Sequence, residues 1–180
     1  MAGEYPTDPL LDPVAIFEWG IDAGVFGWMN SAWGWPVTEV LHFFGLCLLV
    51  GSVGAFDLVM MGAVRGIRLA ALHRLVPFGV AGFALSVVTG ALFVIAAPDQ
   101  YLYNPAFQIK MGLLTVAGAN MALFYLTTAR RVAALEEDDR PPLAARIFAA
   151  VSLTSWFGVI MAGRVITAFR PPSWFWCGWC

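Results

Sequence analysis

Apolar residues dominate four stretches of the chain, at about residues 36–63, 75–97, 106–129 and 143–168, and each is interrupted by only a few polar positions. A helix needs about 20 apolar residues to cross the hydrocarbon core of a bilayer, so every stretch is long enough. None alternates in the way a barrel strand does, and lipid leaves only helices or closed barrels as ways to satisfy the backbone. The pattern therefore predicts an all-α integral membrane protein with a bundle of four transmembrane helices. The punctuation agrees: Pro36 follows Trp35, Asn104–Pro105 suits an N-cap and first helical position, and Asp139, Pro141 and Pro142 precede the fourth stretch. Pro98 and Pro171–Pro172 mark the ends of the second and fourth.

Ahead of the first span, Val14, Phe17, Ile21, Val25 and Trp28 recur at helical spacing while Glu18 and Asp22 point elsewhere. One amphipathic helix lying in the membrane interface is expected there. The chain thus divides into an N-terminal segment (1–35), a transmembrane domain (36–170) and a tail rich in Trp and Cys (171–180).

Composition sharpens this reading. Of 180 residues, 60% are hydrophobic and 12% charged, with a mean hydropathy of +0.76, which is the balance of a membrane protein. A net charge of −2 and the absence of a basic stripe set nucleic acid aside as a partner. Acids and prolines fill the first residues, so no cleavable leader is expected. Arg65, Arg68, Arg74, Arg130, Arg131, Arg140 and Arg146 flank two connections on one side, leaving Lys110, Arg164 and Arg170 for the other. Basic residues resist translocation, so the arginine-rich side is read as cytoplasmic and both termini as lying outside, which is the periplasm if the membrane is a bacterial inner membrane as the resemblance below implies. Most tryptophans then fall at the outer interface, where their rings are favoured.

Ionisable groups inside the spans are the candidate chemistry, because each costs ~2.5–3.5 kcal/mol unless a partner or cavity compensates it. Toward the outer side lie Glu39 and His42 of the first span, Gln108 and Lys110 of the third and Arg164 of the fourth. Two arrangements suit them. One is an ion-pair network of Glu39 with Lys110 or Arg164; the other is a pocket in which neutral His42 ligates heme b iron and Arg164 and Lys110 pair with the propionates. Met161, one turn from Arg164, would be a second axial ligand. Toward the inner side stand Asp57, His73 and Arg74, and Asp57 is expected to pair with Arg74. Glu39 and Asp57 are five turns apart on one face of the first span. Gly82, Ser86 and Gly90 form a small-residue ladder on the second span, with Gly51, Gly54 and Gly62 as its counterpart on the first; both are read as packing features.

The pattern E-V-L-H-F-F-G (Glu39 to Gly45), F-D-L (Phe56 to Leu58), N-P-A-F-Q-I-K (Asn104 to Lys110) and G-R (Gly163–Arg164) resembles an uncharacterised family of bacterial inner-membrane proteins with four helices, over about residues 30 to 170. More loosely, a His early in the first span followed by Gly is similar to the four-helix heme-dependent protoporphyrinogen oxidases and the copper-resistance D membrane proteins. That likeness implies heme ligation at His42 and nothing for the other positions.

Cys47, within the first span, is read as a small packing residue. Cys177 and Cys180 stand in C-x-x-C spacing with no His after the second, so the usual covalent heme-c motif is not expected. A local disulfide is the leading reading, and half of a copper or zinc site is the alternative. The expected function is a membrane subunit that binds heme b near the periplasmic face and takes part in electron transfer between a periplasmic partner and the quinone pool. It is expected to contact other membrane or periplasmic subunits or further copies of itself. Two alternatives stay open: a non-catalytic structural or assembly subunit, and a transporter of metals or small solutes. No set of residues here suggests a substrate-processing active site.

Overall fold

Asp12 caps the first helix, accepting a hydrogen bond from the Val14 amide at 2.9 Å. The computed structural model describes residues 11–64, 66–67, 69–135 and 139–170, apart from the side chains of 69 and 70. The predicted single interfacial helix is two pieces: α1 (Pro13–Asp22) and α2 (Val25–Met29). Gly24 between them adopts φ +75°, a left-handed conformation that ends one helix and redirects the chain into the next.

α3 (Gly34–Met60) begins against the Trp28 carbonyl, so closely that no Cβ would fit on Gly34. Thr38 fastens this start from within, donating to the Gly34 carbonyl at 2.7 Å and lying 3.4 Å from the Met29 sulfur. A short α4 (Leu69–Leu72) and a 3₁₀ turn (His73–Leu75) lead into α5 (Val76–Ala96), whose Pro77 occupies the first turn, where a missing amide costs nothing. α6 (Pro98–Leu102) connects to α7 (Pro105–Thr127), and Asn104 caps α7 by accepting from the amides of Ala106 and Phe107. After α8 (Ala129–Ala133), α9 (Leu143–Val165) closes the bundle and ends in a 3₁₀ turn, Ile166–Ala168.

The protein is all-α, with no strand among the described residues, and four helical stretches are long and apolar enough to cross a membrane: Gly34–Met60, His73–Ala96, Pro105–Thr127 and Leu143–Ala168. These match the four stretches read from the sequence to within a few residues. Large apolar side chains such as Phe43, Phe44, Val80, Val88, Leu126 and Phe157 stand on the outside, far more than a water-facing surface would carry. It is a multi-pass membrane protein.

The four spans are two hairpins. α3 packs along α5, and α7 along α9. At the α3–α5 crossing, Gly45 and Gly82 face each other: a Cβ on Gly82 would lie 2.6 Å from the Gly45 carbonyl oxygen. The ladder on the second span is therefore real, but its counterpart is Gly45. Gly51 meets nothing within 4 Å, Gly54 only brushes Leu153, and Gly62 serves a turn at φ +78°. Helical periodicity offers no means of choosing among these glycines.

The hairpins join where α3 meets α9, whereas α5 and α7 do not pack side by side. At one end, Val59, Met60, Phe124, Val132, Ala145 and Ala149 form a buried apolar cluster. At the other, α1 rests on α5 through Gly20 and Ile95, and Asn104 ties the start of α7 to the end of α9. Between the two ends the gap separating α5 from α7 leaves room for cavities.

Candidate functional site

His42 lies one turn beyond Thr38 on the face of α3 turned to α5. Its Nδ1 is 2.8 Å from Thr89 Oγ1, and Thr89 is buried in α5. That same hydroxyl donates to the Leu85 carbonyl at 2.7 Å. A hydroxyl has one proton, so with it committed to Leu85 the short contact requires His42 to donate from Nδ1. The Ser86 backbone is a second hydrogen-bonding neighbour of the ring. Nε2 then carries the lone pair. Phe93 braces the ring edge-on at 5.8 Å and is itself covered by Trp35 at 5.0 Å. The imidazole packs against Gly90, where a Cβ would meet Cε1 in ordinary contact at 3.6 Å.

The ring lines a cavity of about 680 Å³ between α5 and α7, walled largely by apolar side chains from α1, α3, α5, α7 and α9. Lys110 reaches the same cavity from α7, passing over Gly163 of α9, whose Cβ position would be 3.5 Å from Nζ. No hydrogen bond or ion pair occupies Lys110 among the described residues. Ser86 adds a buried hydroxyl without a partner, and Tyr101 and Met111 complete the polarisable part of the wall. Tyr101 belongs to α6, outside the spans; burial raises its hydroxyl to about 12, with Arg170 opposing and Glu39 adding to the rise.

The other residues expected at this site stand elsewhere. Glu39 and Arg164 are exposed and do not line the cavity, and Met161 points outward with 49% of its surface free. Neither Glu39–Lys110 nor Glu39–Arg164 forms an ion pair among the described residues. Gln108 is buried and donates to the Leu102 carbonyl at 3.0 Å, so it secures the α6–α7 corner. Cys47 is a free thiol on the exposed face of α3. Cys177 and Cys180 lie outside the described residues.

A second cavity of about 310 Å³ continues toward the buried apolar end and shares Leu49, Phe83, Leu114 and Trp156 with the first. Asp57 is on its wall, 3% exposed, with Ser152 of α9 as its side-chain hydrogen-bonding neighbour and with Oδ2 lacking any partner. The expected pair with Arg74 is absent: Arg74 is exposed at the 3₁₀ turn, while Asp57 faces α9. Glu39 and Asp57 share an angular position on α3, yet only Asp57 is enclosed, because α9 covers α3 at that end. His73 stacks edge-on at 5.5 Å against Phe56 of the second cavity's wall without itself lining either cavity.

Thr89, Ser86 and Ser152 are the functional side chains that the sequence hides, since small hydroxyl residues are common in membrane helices and usually return their proton to their own backbone. Ser86 does belong to the small-residue ladder on α5 that is visible in the sequence. No group of three His, Cys, Asp or Glu side chains able to hold a metal occurs among the described residues. No protein-family model, curated protein or solved structure matches the chain.

Proposed function

We propose that this protein is a membrane subunit that binds heme b in the larger cavity through His42 and takes part in electron transfer between a periplasmic partner and the quinone pool. The observation that carries the reading is the state of His42. Its Nδ1 lies 2.8 Å from Thr89 Oγ1, which fixes the ring and, with that hydroxyl donating to Leu85, leaves Nε2 as the nitrogen able to ligate, on an apolar cavity of suitable size. Bound there, the heme iron would supply one-electron redox chemistry.

The chain's own residues supply the rest. Lys110 places an unpaired cation in the cavity, where it would hold a propionate and be relieved of its own isolation. Ser86 offers a hydroxyl for a second polar edge. Met111, unlike Met161, is on the cavity wall and is the thioether that would help to hold the heme. Phe93, Phe83 and Trp156 exclude water. The arginine-flanked connections between α3 and α5 and between α7 and α9 orient the His42 end toward the periplasm of a bacterial inner membrane, with both termini on that side.

Purification in mild detergent from cells supplied with heme tests the proposal. A Soret band is expected in the wild type and in His73→Ala, and its loss in His42→Ala. Colourless wild-type protein would overturn the proposal in favour of a structural or assembly subunit.

A further inference from the structure

Asp57 poses a separate question. A carboxyl group in the middle of a helical bundle is tolerated when a base, several donors or a cavity compensates it. Among the described residues, Ser152 supplies one hydroxyl, Oδ2 receives nothing, and no Lys, Arg or His side chain lines the cavity that contains it. The residue is almost wholly enclosed, with 3% of its surface exposed.

The rest of the wall identifies the chemistry of what would compensate this carboxyl. Phe56, Phe124, Phe148 and Trp156 present aromatic surface, and aromatic faces attract cations, more strongly where water is excluded. Asn120 commits its amide N–H to the Phe148 carbonyl at 3.0 Å, which leaves the side-chain oxygen as an acceptor on the same wall. A bare inorganic cation is a poor match, since a hard ion needs about six oxygen ligands and this wall is mainly carbon. An N–H donor attached to an apolar body satisfies both the orphan oxygen and the aromatic surround.

We infer that the Asp57 cavity is a binding site for a hydrophobic organic cation, a protonated amine carried on an aromatic or aliphatic body. The ammonium pairs with the Asp57 carboxyl, whose enclosed Oδ2 has to turn toward the cavity to accept from it, and the body lies among Phe56, Phe148 and Trp156. The cavity volume of about 310 Å³ sets the ligand at the small end of drug-like molecules. Such amphiphiles partition into bilayers, and the unpacked side between α5 and α7 gives them a route from the acyl phase.

Calorimetric titration of the full chain in mild detergent with 2-phenylethylamine, and separately with the neutral 2-phenylethanol, is the test. Saturable amine binding is expected, with the alcohol weaker by about tenfold or more. Asp57→Asn should reduce amine affinity by about the same factor, and Cys47→Ala, on the exposed face of α3 and on neither cavity wall, should leave it unchanged. Absence of saturable amine binding, or equal affinity for amine and alcohol, would overturn the inference. If Asp57→Asn does not fold, the amine-to-alcohol comparison on the wild type still separates these outcomes.

Discussion

Asn104 Nδ2 donates to the Ile166 carbonyl at 2.9 Å, while Oδ1 of the same side chain caps the first turn of α7. One fully buried amide thus starts one helix and fastens the end of another. Asn104→Ala removes the cap and strands a carbonyl. The expected loss is about 2–3 kcal/mol, read as a lower melting temperature in detergent. Asn104→Asp keeps the cap but not the donor, and should fall between.

Thr89 determines which nitrogen of His42 is free. Thr89→Val keeps the shape, removes the acceptor and lets the imidazole rotate or change tautomer. Under the heme reading, affinity for heme should fall by about 10–100-fold and the Soret band should shift, while Thr89→Ser restores both. An unchanged spectrum and affinity in Thr89→Val would detach this hydroxyl from the site.

The Gly45–Gly82 crossing makes a prediction about packing alone. A Cβ on Gly82 would lie 2.6 Å from the Gly45 oxygen, 2.7 Å from the Leu49 nitrogen and 2.9 Å from the Leu48 Cβ. Backbone cannot yield as a side-chain tip can. Gly82→Ala should therefore cost about 1–3 kcal/mol in a denaturant titration, whereas Gly112→Ala, with nothing within 4 Å, should be neutral or slightly stabilising.

Tyr101 gives a pH dependence outside the spans. Its hydroxyl is raised by burial from 10.0 to about 12. Well below pH 10 it is neutral in folded and unfolded chains alike. Between about pH 10 and 12 the unfolded chain ionises first, so stability declines across that window and has been lost above it. Tyr101→Phe should flatten this part of the stability profile, and absorbance at the tyrosinate band should show one fewer late-titrating group.

The spans are legible in the sequence because twenty-residue apolar runs leave few alternatives in lipid, and proline and asparagine mark their limits. Side-chain direction is less so. His42 and Lys110 are expected together and do share a cavity, but Arg164 and Met161, which match them in depth, face outward: depth along a helix says nothing of azimuth until its neighbours are known. Proximity along the chain favours Arg74 as the partner of Asp57, whereas α9, much later in the chain, supplies its neighbour Ser152. The break at Gly24 is invisible to periodicity because apolar spacing runs straight through it, and only the backbone angle records the turn.

The unpacked side between α5 and α7 has a mechanical consequence. With α3 and α9 as the spine, the two hairpins resemble the covers of a book, and lateral pressure from surrounding lipid pushes the covers shut. The two cavities already stand open on this side, so a molecule filling them would act as a wedge against that closure.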